Sequence, residues 1–239
     1  MARILSGKEF AARIKEDAAR GVAELKAEGV LPRLAVIIVG SDPASEVYVR
    51  NKQRTCDELG IRSDHISLPA ETTKEELLAC IEELNVDPEV HGILVQLPLP
   101  AQIAEDEEEI LSHIDPRKDV DGMSPLSAAK VFAGEDDGFP PCTPGAVMEM
   151  LEHYKVELKG KNVTIVGRSM VVGRPLAMLM LAKHATVTIC HTRTVDMPAV
   201  CRRADVLVAA AGKAGMIGAD CVTDKSIVVD VGINVDAEG

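Results

Sequence analysis

Aromatic residues and basic charge are both scarce in this 239-residue sequence. It contains no Trp, two Tyr and three Phe, while hydrophobic residues make up 46% of the chain. A core can therefore form from mostly aliphatic side chains, and a globally disordered chain is excluded. Asp and Glu number 38 against 26 Lys and Arg, which gives a net charge of −12. A nucleic-acid-binding protein needs a basic face, so we exclude that class and retain only a local basic pocket for a small anion.

Closely spaced cysteine pairs and long apolar runs are also missing. None of the six Cys forms a Cys-x-x-Cys pair, so neither a zinc site nor a disulfide framework is expected, and reduced thiols indicate a cytoplasmic protein. No stretch of about 18 apolar residues is present, so no membrane segment is expected. The start of the sequence contains no apolar signal-peptide core. At roughly 100–200 residues per domain, the length fits one large domain or two small ones.

Apolar runs and helical periodicity alternate along the chain. Strands are predicted at residues 34–39, 61–68, 91–97, 162–166, 186–190, 205–210 and 226–231. Helices are predicted at residues 43–59, 74–85, 104–114, 143–155, 173–184 and 196–203, after a first helix that Gly29 ends. Ser6 and Glu9 predict a capping box at the start of that first helix. The alternation predicts an α/β fold with parallel sheets, and the Gly/Pro/acid-rich segment 134–141 predicts two domains, 1–140 and 141–239.

The strand at 162–166 runs into a glycine-containing turn, Gly167–Pro175. Ser169 replaces the middle glycine of a dinucleotide-binding Gly-x-Gly-x-x-Gly motif, and the last glycine, Gly173, comes one residue late. Small residues between a strand and a helix still allow backbone N–H groups to approach a pyrophosphate at the helix N-terminus. This favours a Rossmann-type nucleotide site, and the alternative is an ordinary strand–helix turn.

The end of the next strand indicates which nucleotide is bound. An NAD site has an acid about 20 residues after the glycine turn, whereas this strand ends in His191–Thr194. The Thr192 hydroxyl and the guanidinium groups of Arg168 and Arg193 can hold a 2′-phosphate, so NADP is favoured over NAD. The alternative for Arg193 is a solvated surface side chain. Adjacent strand residues point to opposite faces, so the imidazole cannot form a catalytic pair with Cys190.

Tyr48 and Lys52 lie four residues apart on the second predicted helix and therefore share one face. A lysine can transfer protons when desolvation lowers the pKa of its ammonium group. Short-chain dehydrogenases also use a Tyr-x-x-x-Lys pair, but there the pair follows the glycine-rich turn, whereas here it lies far upstream in the other domain. A partly buried Tyr beside a surface Lys is the remaining alternative.

Two further segments carry polar groups at a strand end and in a turn. Gln96-Leu97-Pro98 follows a buried strand, where open parallel sheets bind ligands, and the amide of Gln96 can orient a lysine without fixing its charge. The alternative is a surface Gln at a proline-rich strand exit. Lys118–Gly122 is a turn with two acids, one of which can accept hydrogen bonds from an amino-substituted heterocycle. An Asx-turn is the alternative there.

Taken in order, these motifs closely resemble the bifunctional methylenetetrahydrofolate dehydrogenase/cyclohydrolase family over essentially the whole chain. The matching segments are Val39–Ser45, Tyr48–Lys52, Gly92–Pro100, Lys118–Gly122, Pro141–Pro144, Gly167–Pro175, Thr186–His191 and Asp230–Asn234. Each motif alone is weak, whereas the ordered set is highly specific. The resemblance implies oxidation of 5,10-methylenetetrahydrofolate to 5,10-methenyltetrahydrofolate with NADP, followed by hydrolysis to 10-formyltetrahydrofolate. It also implies a homodimeric, multifunctional enzyme of one-carbon metabolism that serves purine biosynthesis.

The resemblance assigns roles to residues of this sequence. Lys52 is implied as the proton-transfer group of the hydrolysis, Gln96 as the residue that tunes it, and Tyr48 as the ring that packs on the folate. The expected substrate-binding residues are Tyr48, Lys52, Gln96, Leu97, Pro98 and Asp121, the last as the pterin anchor. The expected cofactor-binding residues are Gly167, Arg168, Ser169, Gly173, Arg174, Thr192, Arg193 and Ile233. No metal site is expected.

Chains of this family continue beyond the Asp-x-Gly-Ile-Asn strand with a glycine-rich loop and a helix, whereas this sequence ends at Gly239. We therefore expect a truncated chain or a natural short form. The alternatives to the bifunctional activity are a monofunctional dehydrogenase, or a nucleotide-binding protein without enzymatic activity if that segment is essential. The presence of Tyr48, Lys52, Gln96 and Asp121 argues against both, because cofactor binding needs none of them.

Overall fold

The computed structural model describes residues 3–41, 43–135 and 137–232, without the side chains of residues 43–47. The chain divides into two compact units, Met1–Ala129 and Lys130–Gly239. Each unit contains a parallel sheet with helices packed on it, so the predicted α/β class is confirmed. Within the described ranges, no helix is long and apolar enough to span a bilayer.

The first unit has a three-stranded sheet in the order β2-β1-β3. Its strands are β1 (Arg33–Val39), β2 (Arg62–Leu68) and β3 (Gly92–Val95). Its helices are α1 (Gly7–Ala27), α2 (Pro43–Leu59), α3 (Lys74–Val86), α4 (Glu107–Ser112) and α5 (Pro125–Ala133), the last of which contains the division between the units. Strand β1 pairs in parallel with both neighbours, and its continuous aliphatic run is what a strand buried on both faces requires.

Three sequence predictions for this unit need correction. Ser6 is the N-cap residue of α1, but its side chain makes no capping hydrogen bond, so the capping box predicted there is wrong. A capping box lies instead at α3, where the Thr73 hydroxyl accepts from the Glu76 N–H at 3.3 Å and the Glu76 carboxylate accepts from the Thr73 N–H at 2.9 Å. The helix predicted at 104–114 is a 3₁₀ turn followed by α4. Strand β3 ends before its predicted end, which leaves Gln96 in the loop beyond the strand.

The second unit has a four-stranded parallel sheet in the order β5-β4-β6-β7. Its strands are β4 (Asn162–Val166), β5 (Thr186–Cys190), β6 (Val206–Ala209) and β7 (Ile227–Asp230), and its helices are α6 (Cys142–His153), α7 (Gly173–Ala182) and α8 (Met197–Cys201). The predicted bounds of β4 and β5 are confirmed without change. Because β5 and β6 flank β4 on opposite sides, the strand order reverses at β4. Open α/β sheets of the Rossmann type bind ligands at the carboxyl ends beside such a point.

Candidate functional site

Helix α2 places Lys52 at the margin of the first sheet. Val49 and Cys56 are buried on this helix, and Val49 packs with Val36 and Leu94 of the sheet. Lys52 lies three residues after Val49 and is half-buried. Helical periodicity therefore puts its side chain on the same side as these buried anchors.

Gln96 meets Lys52 just beyond the end of β3. The Gln96 N–H donates to the Ile37 carbonyl at 2.8 Å, which extends the β1–β3 ladder by one bond. The side-chain Nε2 of Gln96 donates to the Leu97 carbonyl at 2.8 Å. This bond turns Oε1 toward Lys52, whose Nζ donates to it at 3.2 Å. The structure thus brings the candidate lysine and glutamine together, although 44 positions separate them.

Tyr48, Leu97 and Pro98 flank this pair along the chain. Tyr48 precedes Lys52 by one helical turn and is 51% exposed. Leu97 packs partly against the core of the unit, while Pro98 is exposed. Because the Tyr48 side chain is not buried in the core, its ring can contact a ligand that approaches Lys52.

The two acids of the turn that follows α4 have different surroundings. Lys118 Nζ donates to three backbone carbonyls at the C-terminal end of α3, at 2.9, 2.7 and 2.7 Å, and so anchors the start of the turn. Asp119 is 1% exposed, whereas Asp121 is half-buried. Asp119 forms an isolated parallel bridge with Ile93 of β3. The start of the turn therefore lies beside β3, and Asp121 follows the bridge by two residues.

The turn after β4 is closed so tightly that only glycine fits at its two ends. A Cβ atom on Gly167, where φ is +132°, would lie 2.3 Å from the Ala210 carbonyl oxygen, and one on Gly173 would lie 2.3 Å from the Gly167 carbonyl oxygen. The Ser169 hydroxyl accepts from the N–H groups of Val172 at 3.1 Å and Gly173 at 3.4 Å. The Ser169 side chain therefore caps the N-terminus of α7, a place where helix N–H groups and the helix dipole favour an anion such as a pyrophosphate.

A hydrogen-bonded turn, His191–Thr194, follows β5. The His191 N–H donates to Thr194 Oγ1 at 2.8 Å, and the Thr194 N–H donates to the His191 carbonyl at 2.8 Å. The Arg193 N–H donates to His191 Nδ1 at 3.1 Å. Because Nδ1 accepts this bond, a neutral imidazole carries its proton on Nε2 and offers that N–H as a donor.

These two turns border a cavity of about 370 Å³ at the carboxyl ends of β4 and β5. Its lining residues are Val166, Gly167, Arg168, His191, Thr192, Thr194, Met197, Ala211 and Met216. Arg168 and Thr192, both candidate cofactor residues, therefore meet at this cavity. Arg174 Nε instead donates to the Arg168 carbonyl at 3.2 Å, and among the described lining residues neither Arg174 nor Arg193 occurs. Ile233 lies outside the described residues.

Two polar lining residues, His191 and Thr194, were not among the candidates from the sequence. The signal that identifies them is their place directly after a parallel strand, because ligands bind at such strand ends. A smaller cavity of about 200 Å³, lined by Lys213 and Asp230 among others, lies near the ends of β6 and β7. A larger one of about 450 Å³ lies around Lys155–Lys159, before β4 at the opposite edge of the sheet, and contains none of the candidate residues.

Comparison with known proteins covers both units. Residues 5–121 match the family described as tetrahydrofolate dehydrogenase/cyclohydrolase, catalytic domain, and residues 141–239 match its NAD(P)-binding domain. The bifunctional protein FolD of Moorella thermoacetica is 52% identical over 98% of this chain and 82% of its own length. The chain belongs to the tetrahydrofolate dehydrogenase/cyclohydrolase family. This finding confirms the resemblance that the ordered motifs indicated.

Solved structures of this family share the fold. The bifunctional enzyme FolD of Campylobacter jejuni matches with a TM-score of 0.96 and 45% identity over 99% of this chain and 83% of that chain. The methylenetetrahydrofolate dehydrogenase-cyclohydrolase of Trypanosoma brucei, solved with NADP and an inhibitor, matches with a TM-score of 0.90 and 35% identity over 98% of this chain and 80% of that chain. The range matching the family's catalytic domain carries Lys52 and Gln96, and the range matching its NAD(P)-binding domain carries the glycine turn.

Proposed function

We propose that the protein oxidises 5,10-methylenetetrahydrofolate to 5,10-methenyltetrahydrofolate with NADP and hydrolyses this product to 10-formyltetrahydrofolate. The observation that carries the proposal is the hydrogen bond from Lys52 Nζ to Gln96 Oε1 at 3.2 Å, because a dehydrogenase alone does not need a positioned proton-transfer group. Family membership supports it, since the matching family is described as both a dehydrogenase and a cyclohydrolase.

The oxidation depends on how the folate is placed against the nicotinamide of the cofactor. NADP, when bound, supplies the hydride acceptor. The chain contributes groups that hold the folate: the Tyr48 ring packs on it, and Leu97 and Pro98 border it. The Asp121 carboxylate, which is an acceptor only, takes hydrogen bonds from the amino-substituted pterin ring.

The hydrolysis depends on proton transfer. Water adds to the amidinium carbon of the methenyl group and loses a proton, which gives a neutral carbinolamine. Cleavage of one ring C–N bond then leaves the formyl group, and the proton of the carbinolamine hydroxyl is released to solvent. Lys52, as a neutral amine, accepts the proton of the water and returns it to the departing nitrogen. Gln96 orients Lys52 through Oε1, and because the amide is neutral it serves the lysine in either protonation state.

The second unit fits NADP. The turn from Gly167 to Gly173 leads from β4 into the N-terminus of α7, where the helix dipole and backbone N–H groups favour the pyrophosphate of the cofactor. Arg168 and Thr192 meet at the adjoining cavity and hold the 2′-phosphate, because a guanidinium makes charge-assisted hydrogen bonds to phosphate. We add His191, whose Nε2–H is a further donor at that cavity. The remaining candidate cofactor residues are Ser169, Arg174, Arg193 and Ile233.

The proposal also assigns a role to each domain, an oligomeric state and a cellular compartment. Residues 1–140 form the folate-binding catalytic domain and residues 141–239 the NADP-binding domain, in keeping with the matched ranges. The protein acts as a cytoplasmic homodimer, and its 10-formyltetrahydrofolate supplies one-carbon units to purine biosynthesis. The six free thiols suit a reducing compartment. Sedimentation of the purified protein at the mass of a monomer would reject the dimer.

An absorbance assay with 5,10-methylenetetrahydrofolate tests the two activities. With NADP⁺ we expect NADPH and methenyltetrahydrofolate to form, and the methenyl compound then to decay faster than it does in buffer. With NAD⁺ the first step should be slower. Formation of methenyltetrahydrofolate without faster decay than in buffer would identify the protein as a monofunctional dehydrogenase. Binding of the nucleotide without turnover would leave a nucleotide-binding protein.

A further inference from the structure

One buried carboxylate of the first unit has no role in the proposed reactions. Asp119 is 1% exposed. Its Oδ1 accepts from the Met123 N–H at 3.2 Å, and its Oδ2 accepts from the Ser124 N–H at 2.9 Å and the Ser127 hydroxyl at 2.6 Å. The Ser124 hydroxyl in turn donates to the Ser127 hydroxyl at 3.1 Å. These donors surround the N-terminus of α5, where a negative charge is favoured by hydrogen bonds and by the helix dipole.

The backbone of Asp119 is fixed from the opposite side. The Ile93 N–H donates to the Lys118 carbonyl at 2.8 Å, and Ile93 and Asp119 form a parallel bridge. The Asp119 carbonyl accepts from the Gly122 N–H at 3.1 Å, and Gly122 has a φ of +65°, which favours glycine. Asp119 thus links β3, the turn and α5.

Asp121 lies between these fixed points, two residues after the bridge and two residues before Met123. Among the residues that the structure describes, none makes a hydrogen bond to the Asp121 carboxylate. Its direction is therefore set by the backbone of the turn. Burial of the ionised Asp119 is costly unless its oxygens are bonded, and the bonds that it makes hold the backbone on which Asp121 sits.

We propose that Asp119 is a positioning residue for folate recognition: it holds the turn in the shape that presents Asp121 to the pterin. The inference rests on the proposed function through the role of Asp121. Ser127 belongs to the same arrangement, because its hydroxyl bonds to the Asp119 carboxylate at 2.6 Å.

The substitution Asp119→Asn tests this role, because it keeps the shape of the side chain and replaces one acceptor oxygen with an amino group that faces donors. We expect the KM for 5,10-methylenetetrahydrofolate to rise about tenfold, as for loss of one hydrogen bond to a charged group, and the KM for NADP to stay near the wild-type value. Ser127→Ala should raise the KM for 5,10-methylenetetrahydrofolate by a smaller factor. If the Asp119→Asn variant does not fold, the Ser127→Ala variant is used in its place. Asp115→Asn is the matched control: Asp115 bonds Arg117 at 2.5 Å and should affect neither KM.

A double-mutant cycle with Asp121→Asn separates positioning from general destabilisation. If Asp119 acts through Asp121, Asp119→Asn should have little further effect on the folate KM in the Asp121→Asn background. Additive effects in the cycle, or an unchanged folate KM in both the Asp119 and Ser127 variants, would overturn the inference. If Asp121→Asn by itself leaves the folate KM unchanged, the proposed role of Asp121 fails first, and the inference fails with it.

Discussion

Gln96 presents Oε1 to Lys52 Nζ at 3.2 Å because its own Nε2 is held by the Leu97 carbonyl at 2.8 Å. The partner of the lysine is therefore a neutral amide with a fixed orientation. A carboxylate in the same place would favour the charged ammonium form, since an opposite charge stabilises it. The amide orients the lysine without this bias, which suits a group that must exchange a proton during each turnover.

Replacement of Lys52 should separate the two activities. We expect Lys52→Met to slow hydrolysis of methenyltetrahydrofolate by at least about 100-fold, the usual contribution of a positioned proton-transfer group. The oxidation should keep most of its rate, because hydride transfer depends on the cofactor and on positioning. Both rates are measured on one preparation by absorbance.

The control for this variant is Arg54→Met, which removes a cation from the same helix. Arg54 lies 3.7 Å from Glu58 and its side chain is 72% exposed, so neither rate should change. Hydrolysis at the wild-type rate in Lys52→Met would remove this lysine from the mechanism.

Substitution of His191 should distinguish its two roles, which are to shape the turn after β5 and to donate to the cofactor. His191→Asn retains a side-chain acceptor for the Arg193 N–H, as in an Asx-turn, and lacks the Nε2 donor. We expect the dissociation constant for NADP to rise about tenfold, as for loss of one hydrogen bond to a charged group, with little change for NAD. His191→Ala loses both features and should weaken the binding of both nucleotides.

Two measurements check the His191 variants: the NADP/NAD ratio of kcat/KM, and calorimetric binding of 2′,5′-ADP, which carries the 2′-phosphate without the nicotinamide. The control is His184→Asn, at an exposed position with φ of +65° that Asn tolerates. Wild-type affinity for 2′,5′-ADP in His191→Asn, together with weak binding in His191→Ala, would limit His191 to shaping the turn.

The glycine turn and the Lys52–Gln96 pair could be predicted from the sequence, because the position of each residue follows from the strand or helix that carries it or precedes it. Gly167 directly follows strand β4 and Gly173 begins helix α7, so the sequence pattern of these two elements locates both glycines. Gln96 follows a buried strand and so lies at the carboxyl end of the sheet whatever its partners are. The period of α2, which Val49 anchors in the core, brings Lys52 to the same edge.

The different roles of Asp119 and Asp121 were not open to prediction, because both acids occupy one short turn. The bridge to Ile93, a contact between distant parts of the chain, decides which of them is buried. Helix α5 was missed for a related reason. The N–H groups of Met123 and Ser124, which precede the helix, are satisfied by Asp119 four and five positions earlier, so the sequence around the helix start shows only part of the cap.

Arg33 joins three elements at the amino-terminal edge of the first sheet. Its Nε donates to Asp64 at 2.5 Å and its Nη1 to Asp87 at 2.9 Å. Burial raises the pKa of Asp64, but the hydrogen bonds from Arg33 and Arg62 outweigh burial and hold this pKa below its usual value. The Glu89 N–H lowers the pKa of Asp87 and, with Arg33, outweighs the effect of burial there.

Arg33→Met should therefore destabilise the fold in a pH-dependent way. A carboxyl whose pKa is depressed by folding stabilises the fold above the unfolded pKa of about 3.9, and this stabilisation is lost as the pH falls through the depressed value. The midpoint of urea unfolding should be lower than in the wild type at neutral pH, and the difference should shrink below about pH 4. The exposed Arg54→Met should change little at either pH. A difference that does not depend on pH would mean that Arg33 stabilises by packing.

Three buried thiols meet in the second unit beside the turn that follows β5. Cys190, Cys201 and Cys221 belong to one buried cluster, and burial, followed by the neighbouring thiols, raises the pKa of Cys201 to about 12. The thiolate is the reactive form, so at about pH 8 only a very small fraction of the Cys201 side chains can react. Brief iodoacetamide treatment of the native protein should label the exposed Cys142 and leave Cys201 unmodified, as read by peptide mass spectrometry. In urea both should react alike, whereas rapid labelling of Cys201 without urea would show that the cluster opens in the folded protein.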